Sequence, residues 1–219
     1  MWRGGWVRLR ARSWILLLAI GIGGALVLTA SKQDFALLEK IRVHDSERTE
    51  HAANLISDVA DKYVPLGAPI GLLIWAAGAM GGKVRWRKLG LACLMATLLS
   101  GVIVNIFRMP LGRPRPFSTQ ADGFYFFHGG HENHSFPSGH MGASSATAAA
   151  IAGVAPVTAI PMSAFALTVG WSRVQLNQHH PIDVAVSGVI GTVCGLCFAS
   201  AVPGAAIRLR RRKKNLRRG

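Results

Sequence analysis

The 219-residue sequence is poor in charge, in acidic residues and in cysteine. Asp, Glu, Lys and Arg make up only 16% of it, ten residues are acidic, and half of all residues are hydrophobic. A chain this apolar is neither intrinsically disordered nor collagen-like. Cys93, Cys194 and Cys197 all lie inside apolar segments, so they do not form a disulfide framework. The length is typical of one domain, and we assign residues 1–219 to a single domain.

The charge that is present is mostly positive. Lys and Arg number 25, which gives a formal net charge of +15. Such an excess is typical of proteins that bind nucleic acid or an anionic membrane surface. Here the basic residues stand in blocks between long uncharged stretches, whereas a DNA-binding domain spreads them over a soluble face. We therefore predict the membrane bilayer as a partner, and no nucleic acid.

Six apolar stretches of 17 to 19 residues without Asp, Glu, Lys or Arg divide the chain. They cover residues 14–30, 64–80, 89–107, 138–154, 156–172 and 184–202. Each is close to the ~20 residues with which a helix crosses the hydrocarbon core of a bilayer. None shows the two-residue alternation of a strand. The sequence therefore predicts an all-α fold, a bundle of six transmembrane helices.

The segments between these stretches differ in charge. Lys and Arg number four in the tail 1–13, four in the connector 81–88 and eight in the tail 203–219, and none of the three contains an acidic residue. The positive-inside rule places all three in the cytoplasm. The segments assigned to the outside are 31–63, 108–137 and 173–183. Small size and short loops favour the inner membrane of a bacterium, with both termini cytoplasmic and the outer loops in the periplasm.

The first stretch has a second interpretation. Basic residues followed by Trp14 to Ala30 also resemble a secretory signal peptide. The apolar run is long for one, and Leu28 is poorly suited to a cleavage site after Ala30. We therefore favour an uncleaved first helix, and the outer loops keep their side in either case.

The outer segment 31–63 holds seven of the ten acidic residues. Its apolar residues recur at helical spacing. They are Phe35, Leu38 and Ile41, followed by Ala52, Leu55, Ile56 and Val59. We predict one or two amphipathic helices that lie on the outer face of the membrane.

Three polar clusters on the predicted outer side contain residue types that are suited to ligand binding or catalysis. The first holds Arg108, Arg113 and Arg115, with prolines between them, at the end of the third span. The planar guanidinium matches phosphate oxygens and keeps its charge, so this cluster predicts a rigid anion clamp. Arginines on the outer side also run against the positive-inside rule, which indicates a role other than anchoring.

The second cluster runs from Ser135 directly into the fourth span. Ser138 is a candidate N-cap, and Gly139 allows close approach to the backbone. The free N–H groups at the start of a helix bind anions. His140 would then lie within one turn of a bound anion.

The third cluster joins Arg173, His179 and Asp183. His179 and Asp183 are four residues apart around the start of a helix. This spacing predicts a hydrogen bond from the imidazole Nδ1–H to the carboxylate, which leaves Nε2 free as a nucleophile or base. An ionisable residue at the mouth of a membrane span is usually functional.

Taken in order, these motifs resemble the three-part signature of the type 2 phosphatidic acid phosphatase superfamily. The matching residues are Arg108-x6-Arg115-Pro116, Pro137-Ser138-Gly139-His140 and Ser172-Arg173-x5-His179-x3-Asp183. The order of the spans extends the similarity from about residue 30 to about residue 200. The chain departs from the family at Arg108, where lysine is usual.

The resemblance implies a reaction through a phosphohistidine. His179, oriented by Asp183, would attack phosphorus, and His140 would protonate the leaving oxygen and then activate water. The phosphate oxygens would be held by Arg108, Arg115, Arg173, Ser138 and the Gly139 N–H. Such a site neutralises the charge of the phosphoryl group by itself, so we expect neither a metal nor another cofactor.

One alternative for the outer loop concerns metal binding. His128, His131 and His134 beside Glu132 have the spacing of a zinc cluster. The pair Gly129-Gly130 argues against a regular helix there. We favour a loop that contacts the substrate headgroup, with plain loop packing as the second interpretation.

The resemblance predicts a membrane lipid phosphatase that hydrolyses a phosphomonoester or diphosphate of a lipid. Candidate substrates are undecaprenyl diphosphate, phosphatidylglycerophosphate, phosphatidate and lipid A phosphate. One rival is a lipid phosphotransferase that uses the same phosphohistidine. A second is a non-catalytic lipid-binding membrane protein, against which the intact His140, His179 and Asp183 argue. A vanadate peroxidase is a weaker third.

Overall fold

The computed structural model describes residues 7–9, 32–42, 46–62 and 67–209. The α-helices of this part are α1 (Lys32–Arg42), α2 (Glu47–Lys62), α3 (Gly67–Met80), α4 (Val84–Leu111), α5 (Gly139–Val154), α6 (Ala159–Gln175) and α7 (Pro181–Ala199). Two 3₁₀ turns lie at His131–Asn133 and Pro156–Thr158. Strands β1 (Val7–Leu9) and β2 (Ile207–Leu209) pair in parallel. The regular secondary structure of the described residues is thus helical apart from this strand pair, which is too short to show a two-residue period in the sequence.

Helices α3 to α7 form at five of the six predicted spans, and the predicted first span, 14–30, lies outside the described residues. Among the described helices, α4 and α7 are long and apolar enough to cross a membrane, and α3 is apolar but shorter. The count of six spans therefore stays a prediction.

Helix α4 is longer than its predicted span of 89–107. It begins at Val84, inside the basic connector, and continues past Arg108 to Leu111. Hydropathy marks only the apolar middle of a helix, whereas Lys and Arg are good helix formers and extend it at both ends. Gly112, in the left-handed conformation with φ 59°, ends the helix. The added turn carries Arg108 to the end of the bundle where the other polar clusters lie.

Helix α5 is the centre of the bundle. Helices α4, α6 and α7 all pack against it, and nearly all of its residues from Met141 onward are buried. A Cβ at Gly191 or Gly195 of α7 would collide with the backbone of α5. Small residues therefore let the two helices approach closely, as in other membrane bundles. Their first turns meet, and the Ser138 N–H donates to the Asp183 carbonyl (3.3 Å).

The outer faces of the bundle are apolar. The large apolar residues exposed on α3, α4 and α6 include Leu72, Leu73, Met80, Val84, Trp86, Leu91, Leu98, Val102, Ile106, Ile160 and Leu167. Soluble monomers rarely expose so many large apolar side chains side by side. These faces suit contact with lipid chains.

Helices α1 and α2 form in the segment where one or two amphipathic helices were predicted. They pack against α6, and α1 also contacts α7. Asp34 and Ser57 are buried toward the bundle, whereas Leu55 and Val59 are about half exposed. The buried side of the two helices is mixed, because Leu38 and Ala53 are buried as well, and most of their exposed residues are polar or charged.

Candidate active site

The residues singled out in the three clusters lie at one end of the bundle. Arg108 ends α4, Ser138 precedes α5, Arg173 ends α6, and Asp183 lies in the first turn of α7. His179 occupies the turn between α6 and α7, and its N–H donates to the Arg173 carbonyl (3.2 Å). Four helix ends and two connections therefore build one polar site.

Three arginines bring positive charge to this site. Arg108 donates from Nε (3.2 Å) and Nη2 (2.8 Å) to the Pro137 carbonyl. Arg115 donates to the Gln178 side-chain oxygen, and Arg173 donates to the Ser57 hydroxyl. Each of these bonds helps to hold its guanidinium in one orientation at this end of the bundle.

The start of α5 adds backbone donors. Ser138 is the N-cap residue, as predicted, and is fully buried. Its hydroxyl has no hydrogen-bond partner in the described part of the chain. A Cβ at Gly139 would lie 2.8 Å from Arg108 Nη2, so the absence of a side chain there lets the guanidinium rest on the helix end. The arrangement joins a charged fork to free N–H groups, which together suit an anion.

His179 is held in one orientation. Its Nδ1 lies 2.6 Å from the Ser135 carbonyl, and the ring is 1% exposed. A carbonyl can only accept, so Nδ1 carries the proton and Nε2 keeps its lone pair. Burial lowers the pKa of His179 well below its ordinary value, and the charges of Arg115, Arg108 and Arg173 lower it further. The imidazole is therefore neutral and nucleophilic at Nε2 at neutral pH.

The predicted hydrogen bond from His179 to Asp183 is wrong. The prediction placed the two residues around the start of a helix, and α7 does begin between them, at Pro181. The four-residue spacing still does not bring the side chains together, because His179 lies in the turn before the helix and its Nδ1 bonds to the Ser135 carbonyl. Asp183 instead accepts from the Ser135 hydroxyl (2.5 Å) and the His180 N–H (2.9 Å) through Oδ2. The Asp183 carboxylate thus reaches the His179 ring through Ser135, whose carbonyl holds the imidazole.

Arg113 is the centre of a buried ion cluster. It is 1% exposed and donates to Asp183 Oδ1 (2.5 Å), to Asp34 Oδ2 (2.9 Å) and to both oxygens of Asp122 (2.9 and 2.8 Å). Burial raises the pKa of the Asp34 carboxyl, and the Arg113 guanidinium opposes that shift. This arginine is committed to three carboxylates, so it does not belong to the anion clamp that was predicted for the first cluster.

His140 lies in the first turn of α5 and is half-buried. The loop histidines have other surroundings. His131 stacks on Phe117, with ring centroids 6.2 Å apart, and the Arg115 guanidinium lies 6.0 Å from the same phenylalanine ring. Burial and the nearby arginines lower the pKa of His134. Within the described ranges, His, Cys, Asp and Glu form no group of three that could hold a metal ion.

Sequence reasoning missed three residues of the site's surroundings. Ser135 stood in the second motif but was given no role. Asp122, in the segment 108–137, was given no role either, and Asp34 was counted only within the acidic segment 31–63. Asp34 and Arg113 are 79 residues apart in sequence, so no local pattern connects them. The one available signal was Arg113 itself, because a third arginine on the outer side requires a counter-charge.

The fold and the site define a helical bundle with arginines and histidines gathered at helix termini at one end. Residues 89–206 match the family model described as the PAP2 superfamily. The match covers more than half of the chain, which therefore belongs to this superfamily, and the predicted resemblance is confirmed.

Sequence relatives carry a more specific name. The chain is 30% identical over 135 residues to the lipid A 1-phosphatases of Rhizobium johnstonii and Rhizobium etli. These alignments cover 55% of the chain and 54% and 57% of the two relatives. The chain thus spans about half the length of the curated relatives it matches.

Two crystal structures share the fold. LpxE of Aquifex aeolicus has a TM-score of 0.61 at 20% identity, covering 78% of this chain and 97% of that one. The transmembrane PAP2-type phosphatidylglycerolphosphate phosphatase of Bacillus subtilis has a TM-score of 0.63 at 20% identity, covering 85% and 92%. Together with the apolar helices, these relatives support a membrane protein.

The surroundings of His179 predict an unusual protonation behaviour. We expect His179 to remain neutral, with its proton on Nδ1, in acid where an ordinary histidine of pKa about 6.5 is charged. Nitrogen NMR of histidine-labelled protein measures this directly, and the His179 signal is assigned by its loss in His179→Ala. Because the unfolded chain binds a proton here below about pH 6.5 and the folded chain does not, stability should fall as the pH drops through that value. A His179 signal that titrates near 6.5 would contradict this description.

Proposed function

We propose that the protein is a membrane lipid phosphatase that works through a phosphohistidine on His179. The observation that carries the proposal is the His179 imidazole, fixed by the Ser135 carbonyl (2.6 Å) and surrounded by arginines. A neutral Nε2 facing concentrated positive charge is suited to attack a phosphoryl group. The lipid phosphotransferase, the non-catalytic lipid-binding protein and the vanadate peroxidase remain the rivals.

The reaction would proceed in two steps. His179 Nε2 attacks phosphorus in line with the leaving oxygen, the P–O bond breaks, and His140 gives that oxygen a proton. His140 then takes a proton from water as its oxygen attacks the phosphohistidine, which releases inorganic phosphate and frees His179. Arg108, Arg115, Arg173 and the start of α5 would stabilise the equatorial oxygens as charge spreads over them.

The substrate is proposed from the relatives and the chemistry together. Lipid A phosphate comes first, because the two Rhizobium relatives are lipid A 1-phosphatases. Undecaprenyl diphosphate, phosphatidylglycerophosphate and phosphatidate complete the panel, since each offers a phosphoryl group at the headgroup level. Release of phosphate from one of these lipids alone, with no lipid acceptor, would exclude the phosphotransferase.

Replacing the nucleophile tests the mechanism. His179→Ala should lower kcat by on the order of 10³-fold or more, because it removes the group that forms the covalent intermediate. The measurements are phosphate release and trapping of an acid-labile phosphoenzyme from labelled lipid. His51→Ala, at an exposed position on α2, is the matched control. If His179→Ala turned over substrate at the wild-type rate, the phosphohistidine mechanism would be refuted.

Metal independence is a separate part of the proposal. The cationic side chains of Arg108, Arg115 and Arg173 supply the charge that a metal would otherwise provide. Activity should therefore persist in EDTA, and vanadate should inhibit as a mimic of five-coordinate phosphorus. Loss of activity in EDTA that Zn²⁺ or Mg²⁺ restores would instead favour the metal interpretation of His128, His131 and His134.

Sidedness follows from the charge of the connectors. We propose that the site opens toward the periplasm, opposite the basic tails and the connector 81–88. In a cysteine-free background, Thr119→Cys in the outer loop should react with a membrane-impermeant thiol reagent on intact spheroplasts. Val84→Cys, at the opposite end of α4, should react only after lysis. Both positions are exposed, so accessibility within the protein does not bias the comparison. The reverse labelling pattern would move the chemistry to the cytoplasm.

A further inference from the structure

The buried ion cluster around Arg113 has no part in the proposed reaction. Its partner Asp34 comes from α1, outside the residues that match the family model. Asp34 is 5% exposed and uses both carboxylate oxygens. Oδ2 accepts from Arg113 (2.9 Å), and Oδ1 accepts from the Ile182 N–H (3.1 Å).

The second of these bonds acts on α7. Ile182 lies in the first turn of that helix, where N–H groups have no partner within the helix. Asp34 satisfies one of them from a separate helix, and its negative charge faces the positive end of the α7 dipole. Asp34 therefore fixes the beginning of α7, three residues after His179.

The first bond acts on His179 through a short chain of contacts. Arg113 holds Asp183 Oδ1 (2.5 Å), and Asp183 Oδ2 accepts from the Ser135 hydroxyl (2.5 Å). The carbonyl of the same Ser135 holds His179 Nδ1 (2.6 Å). Each of these residues is buried. A displacement of Arg113 therefore shifts Asp183, Ser135 and His179 in turn, because no solvent lies between them to take up the change.

We propose that Asp34 and Arg113 form a positioning pair that fixes the orientation and tautomer of His179 through Asp183 and Ser135. Helix α1 then contributes a positioning residue to the site, in addition to packing against the bundle. This inference rests on the proposed role of His179 as the nucleophile.

A purely stabilising role explains the cluster less well. Burying one guanidinium and three carboxylates requires their desolvation, and apolar residues of similar size often give equal or greater stability. What an apolar replacement cannot provide is a set of fixed hydrogen-bond directions. The arrangement therefore favours positioning as the function of the cluster.

The test uses Asp34→Asn in the full-length protein. An asparagine can still accept from the Ile182 N–H, but it places an NH₂ group against Arg113 in place of a carboxylate oxygen. Loss of this charge-assisted bond should lower kcat ~10-fold, with KM changed less than twofold, because Arg108, Arg115 and Arg173 are untouched. Activity is divided by the amount of enzyme that can be trapped as the phosphoenzyme, so that misfolded protein is not counted.

Two further variants and one spectrum complete the design. Glu39→Gln removes a carboxylate at an exposed position of the same helix and should behave as wild type. Arg113→Lys keeps the buried charge and should lower kcat in the same way, and it serves if Asp34→Asn does not fold. The NMR signal of His179, recorded without substrate, should lose its fixed Nδ1–H tautomer in both.

Every outcome decides the question. A lower kcat per trapped phosphoenzyme in Asp34→Asn, together with a changed His179 tautomer, supports the positioning pair. Wild-type kcat and tautomer in Asp34→Asn would overturn it, and so would a loss of activity that only follows the loss of folded protein. If the wild type releases no phosphate from any lipid of the panel, the proposed function fails, while the NMR comparison still tests the positioning pair.

Discussion

One buried guanidinium connects the parts of this protein that are distant in sequence. Arg113 pairs with carboxylates from α1, from the outer loop and from α7, spanning up to 79 residues of chain. A buried charge that loses a partner typically costs about 3–5 kcal/mol, so these three segments are held to a single arrangement. The turn that carries His179 and the connection that carries Ser135 are fixed in consequence.

The cluster also separates two kinds of arginine. Arg113 pairs with the carboxylates of Asp34, Asp122 and Asp183. The family signature includes Arg115 and omits Arg113, two residues away, and the geometry gives a reason, because Arg113 lies on the side of the loop that faces the three acids. The charges of Arg115, Arg108 and Arg173 act instead on His179, whose pKa they lower.

The sequence predicted the positions of helices α3 to α7 and the end of the bundle at which the polar residues gather. Both depend on local patterns, namely the length of each apolar stretch and the types of residue at the helix ends. It did not predict the Asp183 contacts, because a four-residue spacing around a helix start leaves the direction of the preceding turn open, and that turn brings His179 Nδ1 to the Ser135 carbonyl. It also did not predict Asp34, whose contact depends on how α1 lies on the bundle. Such contacts are set by tertiary packing, which a single sequence does not record.

The two faces of the α1–α2 pair explain how such a site can exist beside a bilayer. A site of arginines and carboxylates inside hydrocarbon would be costly, so the charges gather at helix ends. There they still need cover from water for their interactions to be strong. Asp34 and Ser57 contribute to that cover through their bonds to Arg113, Ile182 and Arg173, and Leu38 and Ala53 are buried beside them. The outer face of the pair is mainly polar, with Leu37, Leu55 and Val59 exposed among charged residues, as expected of helices that lie where lipid headgroups meet water.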